Sequence, residues 1–374
     1  MGGYGHRNLG DDALMLVSFS ILRKCTDPNK ITVIVRKPAP DYKYIKRFAP
    51  GCDVVGIWPG QAVECDRLIY GGGTMYRAFP GIRSSSSSKA ARALAACACR
   101  PRRVIHRLLH GSASLSVYPL ISANHSFALG IGVGPFMNGR HGITAAQQAL
   151  SGCKYVSVRD SYSETICRQW GMRNVVRRAD PCFCPALWSN GFLKRVGPHG
   201  RARRVGVVVR EWKHTDIGAG YGPTLGRAVN RLRKTGYDVK YVFFQEEPSW
   251  RRVLARSGDD VLAYSPDSTT VEQFVDKLRQ FDLIITSRAH GAIFASVLGI
   301  PCVCIEIEAK LREICVSLRG GGRIWSPPFE EDALVAAVEE MVGNLQMYSE
   351  LTCKAAGENA GLAELSISEF LAMC

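Results

Sequence analysis

Short runs of apolar residues alternate with segments of helical periodicity over most of the chain. This alternation is typical of α/β proteins, in which helices connect parallel strands. In the first half it predicts strands at residues 31–35, 53–57, 67–70, 126–133, 155–158 and 175–177. It predicts helices there at residues 11–24, 42–48, 89–99, part of 102–120, 145–150 and 161–170.

The alternation is interrupted near residues 190–203, which are polar, basic and rich in turn-forming residues. It then resumes with strands predicted at 204–209, 239–244, 261–263, 283–286 and 303–306. Helices are predicted at 224–235, 249–256, 271–280, 291–298 and 310–318, with a helical region from residue 331 onward. We therefore predict domains at 1–190 and 204–346, a linker at 191–203 and a helical tail at 347–374, with a cleft between the domains.

Arg288 and His290 follow the predicted strand 283–286 within the stretch TSRAHGA. The carboxyl ends of parallel strands face the ligand site of such sheets, so both side chains are expected to face the cleft. A guanidinium presents donors that match phosphate or carboxylate, and an imidazole moves protons near neutral pH. In the alternative interpretation, Arg288 forms a salt bridge with the neighbouring domain and His290 caps the helix. Arg210 follows strand 204–209 in the same way, and two such arginines suit a ligand with two anionic groups.

Three glycine-rich segments are predicted at the ligand edge of the first domain. GYGHRNLGDDAL leads directly into a helix, with Asn8 and Asp11 as natural capping residues. LIYGGGTMYR and GIGVGP place glycines after apolar strands, where the backbone can approach a ligand closely. Each segment by itself is also compatible with an ordinary turn.

Composition limits the classes of partner. The chain is 46% hydrophobic and 22% charged, as in soluble globular proteins, and has no apolar run of bilayer-spanning length. Its first residues lack the pattern of a secretory signal, which favours the cytoplasm. The net charge of +15 is concentrated at residues 89–107 and 194–213. It suits acidic carbohydrate or peripheral contact with an anionic membrane, and solvated basic faces without a partner are the alternative interpretation. Nucleic acid is disfavoured because no binding motif is present.

The 14 cysteines are scattered and include no CxxC pair. Three CxC pairs are present, at positions 97 and 99, 182 and 184, and 302 and 304. We expect buried, reduced thiols, with metal binding or disulfides as the alternatives. No metal site is predicted, because no HxH or paired-carboxylate ligand set is evident.

Taken in order, several motifs resemble those of the polysaccharide pyruvyl transferase family. They are NLGDD at 8–12, GGG at 71–73, GIGVGP at 130–135, VRD at 158–160 with Ser163, DP at 180–181 and SRAHG at 287–291, followed by GIPCVCIEIEAKLREI. The resemblance covers the chain from its first residues to about Leu318. It implies two Rossmann-like domains facing a cleft, as in GT-B glycosyltransferases.

The resemblance also implies transfer of pyruvate from phosphoenolpyruvate to two hydroxyls of a glycan or lipid-linked saccharide, forming a cyclic ketal. Arg210, Arg288 and His290 are the expected catalytic residues, His290 as an acid or base or as a phosphate contact. Phosphoenolpyruvate is a co-substrate, and no further cofactor is implied. It is expected to bind Arg210, Arg288, Ala289, His290 and Lys310. The acceptor is expected to bind Asn8, Asp11, Asp12, Gly72, Gly73 and Gly132.

The sequence departs from the family pattern at its start. Family members have a hydrophobic strand ahead of the first glycine loop, whereas this chain begins almost at the loop. We therefore expect the N-terminal sheet to lack its first strand, either because the true start lies upstream or because this copy is truncated. Two further functions stay open: a nucleotide-sugar glycosyltransferase with Glu306 as the ribose contact, and a glycan-binding protein without catalysis.

Overall fold

The protein is described by a computed structural model that covers residues 4–36, 42–57, 62–78, 120–136, 140–189, 203–212 and 214–374. The strands are β1 Thr32–Arg36, β2 Asp53–Ile57, β3 Ala62–Ala78, β4 Leu120–Phe136, β5 Cys153–Val158, β6 Val175–Arg177, β7 Arg204–Val208, β8 Asp238–Phe243, β9 Val261–Ala263, β10 Leu283–Thr286, β11 Cys302–Ile305 and β12 Gly322–Trp325. The helices are α1 Leu9–Leu22, α2 Tyr42–Phe48, α3 Arg140–Ser151, α4 Ser161–Gln169, α5 Asp216–Ala219, α6 Tyr221–Lys234, α7 Pro248–Ser257, α8 Val271–Lys277, α9 Ala289–Val297, α10 Ala309–Ser317, α11 Glu331–Gly343 and α12 Leu345–Leu371. Short 3-10 helices cover Pro28–Lys30, Pro181–Phe183, Pro185–Leu187 and Leu278–Gln280.

The C-terminal half contains a parallel sheet in the order β12-β11-β10-β7-β8-β9. Every residue of β10 and β11 is buried, which explains why these strands are continuous apolar runs without alternation. The strand order reverses direction between β10 and β7, so the loops after these two strands diverge at one edge. Such a switch point is where ligands bind in open α/β sheets, and Arg210 and Arg288 follow these two strands.

In the N-terminal half, the described residues form two parallel sheets. Strands β1 and β2 pair with each other, and the second sheet has the order β3-β4-β5-β6. No continuous sheet therefore runs from β1 to β6 in this part of the structure. Helix α1 is buried along most of its length and packs against β3 and the 3-10 segments after β6.

The sequence predicted most of these elements, with three informative differences. Strands β3 and β4 are much longer than the predicted segments 67–70 and 126–133 and include their glycine segments, with irregular pairing after Thr74. Strand β12 was not predicted, because GRIW is short and half polar. Helix α9 begins at Ala289 instead of residue 291, so His290 lies in its first turn.

Several predictions fall on residues outside the described ranges. They include the helix at 89–99, most of the segment 102–120, and the basic stretches 89–107 and 194–213 apart from residues 203–212. The linker 191–203 lies there too except for its last residue, so the domain boundaries remain predictions.

The long helix α12 packs against both halves of the chain. Phe370 stacks edge-on against Phe127, with 5.2 Å between ring centroids, and the Ser366 hydroxyl donates to Ser157 at 2.8 Å. Further toward its start, Thr352 donates to the Gly321 carbonyl at 2.9 Å. The segment predicted as a tail thus holds the two halves together.

Two predictions from composition can be compared with the described residues. Every cysteine in them is a free thiol, and most are buried, which confirms the expectation for these positions. No helix within the described ranges is long and apolar enough to cross a membrane.

Candidate active site

A cavity of about 480 Å³ lies between the two halves, at the carboxyl ends of β7 and β10. Its lining is strongly polar and combines residues more than 200 positions apart in the sequence. The N-terminal half contributes Tyr4, His6, Asn8, Asp11, Leu14, Gly72, Gly73, Thr74 and Arg159. The C-terminal half contributes Arg210, Phe244, Gln245, Arg288, Ala289, His290 and Lys310.

The turn from β10 into α9 is shaped by Thr286. Its hydroxyl donates to the Arg288 carbonyl at 2.8 Å and accepts from the Arg288 N–H at 3.0 Å. A Cβ on Gly291 would overlap this hydroxyl and lie 3.0 Å from Thr286 Cβ, so the position requires glycine. No described side chain caps α9, which leaves its first amides available to an anion in the cavity, apart from the Gly291 N–H, which donates to the Arg288 carbonyl at 2.9 Å.

Arg288 forms a buried ion pair with Glu247. The side chain of Arg288 is 8% exposed and that of Glu247 2%. Burial lowers the pKa of Arg288, and the Glu247 carboxylate opposes that effect. The Arg288 Nε has no hydrogen-bond partner among the described residues. The guanidinium is therefore fixed by Glu247 on one side and retains a donor without a partner.

Arg210 and Lys310 share one carboxylate. Arg210 Nη1 lies 2.5 Å from Glu308 Oε1, and Lys310 Nζ lies 2.7 Å from the same oxygen. The Arg210 guanidinium also lies over the Trp212 ring, 4.8 Å from its centroid. Burial lowers the pKa of Lys310 to about 7, although Glu308 opposes the shift. Lys310 can therefore exchange a proton near neutral pH.

His290 is held between helix α1 and Asp180. Its Nε2 lies 3.8 Å from Asp180 Oδ2 and has no hydrogen-bond partner in the described part of the chain. On the other side, a Cβ on Gly10 would lie 2.5 Å from His290 Cγ, so α1 approaches the imidazole closely only because residue 10 is glycine. Burial lowers the pKa of His290, with the Asp180 carboxylate opposing the shift, so the neutral imidazole dominates at pH 7.

Asp180 and Arg159 form a second buried ion pair beside His290. Arg159 Nη1 donates to Asp180 Oδ2 at 2.8 Å, and Nη2 donates to the Thr74 hydroxyl at 2.8 Å. Burial by itself raises the pKa of Asp180, but His290, Arg159 and the Cys182 N–H outweigh it and lower that pKa. An ionised Asp180 thus faces His290.

Two adjacent aspartates at the start of α1 point in different directions. Asn8 caps the helix by accepting from the Gly10 N–H at 2.9 Å, and both Asn8 and Asp11 line the cavity. Asp12 instead points into the protein, where Tyr44 and Tyr264 donate to its Oδ2. Asp12 is fully buried, and burial raises its pKa to about 7. The acceptor contact expected at Asp12 is therefore not available from this position.

Of the predicted glycine positions, two reach the cavity. Gly72 and Gly73 line it with φ values of +64° and +75°, a backbone conformation that favours glycine. Gly132 does not line the cavity, because the Arg159 guanidinium covers it; a Cβ there would lie 3.0 Å from Arg159 Nη2. Gly132 therefore makes room for Arg159 instead of contacting the acceptor as expected.

Asp180, Cys182 and His290 offer ligand atoms that all lie within 4.8 Å of one another, a spacing that could hold a metal ion. However, Asp180 already accepts from the Arg159 guanidinium, and a cation there would be repelled by that group. The Arg159 guanidinium therefore disfavours a metal ion at this cluster, and the absence of a metal remains a prediction.

The sequence model of the polysaccharide pyruvyl transferase family matches residues 8–308. The chain belongs to this family. No curated protein sequence matches the chain significantly.

Solved structures show which fold this pyruvyl transferase family member has. A putative UDP-N-acetylglucosamine 2-epimerase from Listeria monocytogenes matches 100% of this chain and 93% of its own, with a TM-score of 0.54 and 10% identity. Anabaena HepE, solved in complex with UDP and glucose, matches 97% of this chain and 95% of its own, with a TM-score of 0.51 and 12% identity. At this identity the likeness concerns the fold alone. The prediction of two Rossmann-like domains facing a cleft, as in GT-B enzymes, is confirmed.

Sequence reasoning missed several residues that line the cavity or hold its side chains in place. Arg159 and Asp180 were recognised as parts of motifs but not as site residues. Glu247, which holds Arg288, was not singled out, because a glutamate after a strand resembles any helix-start residue. Arg159 could have been recognised from the sequence, because it directly follows β5 just as Arg288 follows soon after β10.

The ribose contact required by the nucleotide-sugar alternative is not found at its expected position. Glu306 accepts from Arg312 at 2.5 Å and from the Ser326 hydroxyl at 2.6 Å, and it does not line the cavity. The described residues that line the cavity include several groups that bind anions. Glu306 is not among them, so it is not placed to contact a ribose there.

Proposed function

We propose that this protein transfers pyruvate from phosphoenolpyruvate to two hydroxyls of a glycan sugar, forming a cyclic ketal. The observation that carries the proposal is the convergence of Arg159, Arg210, Arg288 and Lys310 on one cavity of about 480 Å³. Phosphoenolpyruvate is small and bears a phosphate ester and a carboxylate on the same carbon atom. A compact ligand with two anionic groups matches such a cluster, and the buried position strengthens each contact.

We propose that the donor binds to the C-terminal half. Arg288 and the free amides at the start of α9 suit one anionic group, and Arg210 with Lys310 suits the other. Glu247 and Glu308 hold these cations in position before the donor arrives, so little reorganisation is needed on binding. Glu308 also offsets part of the positive charge between Arg210 and Lys310, which limits the repulsion between them.

Ketal formation requires several bond changes. A proton adds to the methylene carbon of the enol phosphate, and the first acceptor hydroxyl bonds to the neighbouring carbon as its double bond is lost. The carbon–oxygen bond to phosphate then breaks, and the second hydroxyl bonds to the same carbon. Each hydroxyl loses one proton; one balances the proton taken up by the methylene carbon, and the other leaves with the phosphate.

The structure supports a division of these proton transfers. Lys310, with a pKa of about 7, can deliver a proton and remain beside the phosphate. His290 is neutral at pH 7, so it is suited to accept a proton from an acceptor hydroxyl, and the ionised Asp180 would stabilise the resulting imidazolium. Arg210 and Arg288 would stabilise the departing phosphate.

We propose that the acceptor sugar binds to the N-terminal half. Asp11, Gly72 and Gly73 line that side of the cavity. The Asp11 carboxylate can accept hydrogen bonds from sugar hydroxyls, and the two glycines let the backbone approach the ring. Asn8 lies beside them, but its side chain already caps α1 and donates to Gln245 at 2.7 Å, so it positions the helix more than it contacts the sugar.

An acceptor screen tests the proposal. The purified chain is incubated with phosphoenolpyruvate and a panel of mono- and oligosaccharides and glycosyl phosphates. Phosphate release and the mass gain of one pyruvate ketal are then measured. We expect acceptor-dependent phosphate release that His290→Ala and Arg288→Ala abolish. Wild-type turnover in either variant contradicts the residue roles.

A binding measurement separates the alternatives. Thermal stabilisation by UDP but not by phosphoenolpyruvate would favour a nucleotide-sugar glycosyltransferase. Glycan binding without any pyruvate transfer across the panel would favour a non-catalytic protein.

A further inference from the structure

Thr74 lies where the pairing of strands β3 and β4 becomes irregular. Thr74 pairs with Gly132, and the register shifts between Thr74 and Tyr76. Such irregularities redirect side chains and are common beside ligand sites. Thr74 follows Gly73 in the chain, and both residues line the N-terminal side of the cavity. The Thr74 side chain is therefore within reach of a ligand bound there.

The glycine opposite Thr74 makes room for Arg159. A Cβ on Gly132 would lie 3.0 Å from Arg159 Nη2 and 3.1 Å from Nε, so the guanidinium occupies the space that a side chain would fill. From this position Nη2 donates to the Thr74 hydroxyl at 2.8 Å, and Nη1 donates to Asp180 at 2.8 Å. The Arg159 side chain is only 7% exposed. The guanidinium is thus held in place, and it fixes the orientation of the Thr74 hydroxyl.

The direction of this hydrogen bond leaves the Thr74 proton available. A guanidinium has donors and no acceptor, so the Thr74 oxygen accepts from Arg159 and keeps its own proton. The described part of the chain offers no acceptor for that proton. Because hydrogens of like partial charge repel each other, the proton points away from Nη2, and the Thr74 side chain borders the cavity. Thr74 therefore has a donor available for a ligand in the cavity.

The charges around Arg159 favour a neutral ligand atom beside Thr74. Arg159 Nη1 lies 2.8 Å from Asp180 Oδ2, and its Nε lies 3.6 Å from Asp160 Oδ2. One cation thus faces two carboxylates, and both aspartate side chains are largely buried, which limits screening by water. An anionic group gains little in such surroundings. A sugar hydroxyl, whose oxygen is neutral and accepts hydrogen bonds, suits the Thr74 donor.

The C-terminal side of the cavity has the opposite balance of charge. Arg210 and Lys310 share the single carboxylate of Glu308, so two cations face one anion. A phosphate or a carboxylate therefore gains more there than beside Thr74. The cavity thus has a cationic side for an anionic ligand and, across from it, a hydroxyl donor for a neutral one.

We propose that the Thr74 hydroxyl, oriented by Arg159, donates to a hydroxyl oxygen of the acceptor sugar. The inference rests on the proposed function for the identity of the ligand, and on the hydrogen bonds of Thr74 and Arg159 for the place of contact. Thr74 then distinguishes a sugar with an oxygen at the contacted position from a sugar without it. No contact between Thr74 and phosphoenolpyruvate is expected.

Four variants test this contact. Thr74→Val removes the donor and keeps the shape of the side chain, and a β-branched residue suits a strand. Thr74→Ala removes the same donor without placing a methyl group against Arg159. Thr74→Ser keeps the hydroxyl and should keep the contact. Thr224→Val is a matched control, because the Thr224 hydroxyl also accepts from an arginine, Arg227 Nη2 at 3.0 Å, but Thr224 does not line the cavity.

Binding to the full chain is measured by NMR titration with the methyl glycosides of glucose, galactose, mannose and N-acetylglucosamine, and with analogues of each that lack one hydroxyl. We expect at least one glycoside to bind the wild type, and Thr74→Val and Thr74→Ala to weaken its binding about tenfold, the effect of one lost hydrogen bond. Thr74→Ser and Thr224→Val should bind it as the wild type does. One deoxy analogue should bind the wild type about tenfold more weakly, and Thr74→Val should weaken the binding of that analogue no further.

An indirect, structural role of Thr74 gives a different pattern. Each missing hydroxyl would then weaken binding by the same factor in the wild type and in Thr74→Val, and such additivity at every position overturns the inference. Wild-type affinity in both Thr74→Val and Thr74→Ala overturns it too, and so does the absence of binding by all four glycosides.

Pyruvate transfer separates this inference from the proposed function. If a glycoside binds with the pattern expected for the Thr74 contact but no sugar receives pyruvate, the proposed function fails and the contact stands. If transfer proceeds and Thr74→Val leaves the acceptor KM unchanged, the function stands and the contact fails. When both hold, Thr74→Val should raise the acceptor KM about tenfold and leave the phosphoenolpyruvate KM unchanged. A rise in the phosphoenolpyruvate KM alone would assign the hydroxyl to the donor and overturn the inference.

Discussion

Gly10 at the start of α1 lies directly against the imidazole of His290, and a Cβ on residue 10 would lie 2.5 Å from His290 Cγ. The two residues are 280 positions apart, in the first and the second half of the chain. Their contact joins the NLGDD and SRAHG motifs into one structural unit. It also fixes the position of the histidine relative to the N-terminal side of the cavity.

Gly10→Ala should therefore displace His290. We expect kcat to fall about 100-fold, because shifts of about 1 Å at a reacting group have that effect, and the overpacked contact to cost about 1–3 kcal/mol of unfolding free energy. In the His290→Ala background, the alanine at position 10 no longer meets an imidazole, and alanine favours helix over glycine. The loss of unfolding free energy caused by Gly10→Ala should therefore disappear. Urea unfolding of the four proteins measures this coupling. Additive effects would contradict the contact.

Arg288→Ala should destabilise the protein as well as inactivate it. Removing the guanidinium leaves Glu247 buried and unpaired, which we expect to cost about 3–5 kcal/mol in urea unfolding. The double variant Arg288→Met with Glu247→Leu should recover most of this stability and remain inactive. Arg231→Ala, which breaks an exposed pair with Asp332, serves as the control and should change stability little. Unchanged stability in Arg288→Ala would contradict the buried ion pair.

Phosphoenolpyruvate binding should weaken as pH rises through neutrality. Burial lowers the pKa of Lys310 to about 7, so its charge is present below that pH and is lost above it. Between about pH 6 and about pH 8.5 we expect the KM for phosphoenolpyruvate to rise on the order of tenfold. Lys310→Arg keeps the charge throughout and should flatten this dependence. Parallel KM profiles for the two proteins would show that Lys310 is not the titrating group.

The buried Asp12 should make the protein less stable as pH rises. Burial raises its pKa to about 7, so the folded state retains a proton that the unfolded chain releases near pH 4. The stability associated with that proton is lost as pH rises toward 7, by about 2 kcal/mol between about pH 5 and about pH 7. Asp12→Asn can still accept from Tyr44 and Tyr264 and should lack this dependence. Urea unfolding at the two pH values measures the difference, and equal slopes in both proteins would contradict it.

The sequence by itself determined the elements that depend on local patterns. Continuous apolar runs predicted β10 and β11, and small residues after a strand predicted α9, because burial on both faces and helix-start chemistry are visible over a few residues. The same local patterns predicted that Arg210 and Arg288 follow strands and lie at one edge of the sheet. Strand β12, which is short and contains glycine and arginine, has no such pattern and was missed.

Only the tertiary structure decided which neighbours face the cavity and what holds them there. Asp11 and Asp12 are adjacent in sequence and chemically alike, yet successive helix positions are about 100° apart, so one faces the cavity and the other two phenols. Gly132 looked like a ligand contact and instead accommodates Arg159. Glu247 and Asp180 reach Arg288 and His290 from distant loops, because ion pairing in a buried site depends on spatial proximity and not on sequence spacing.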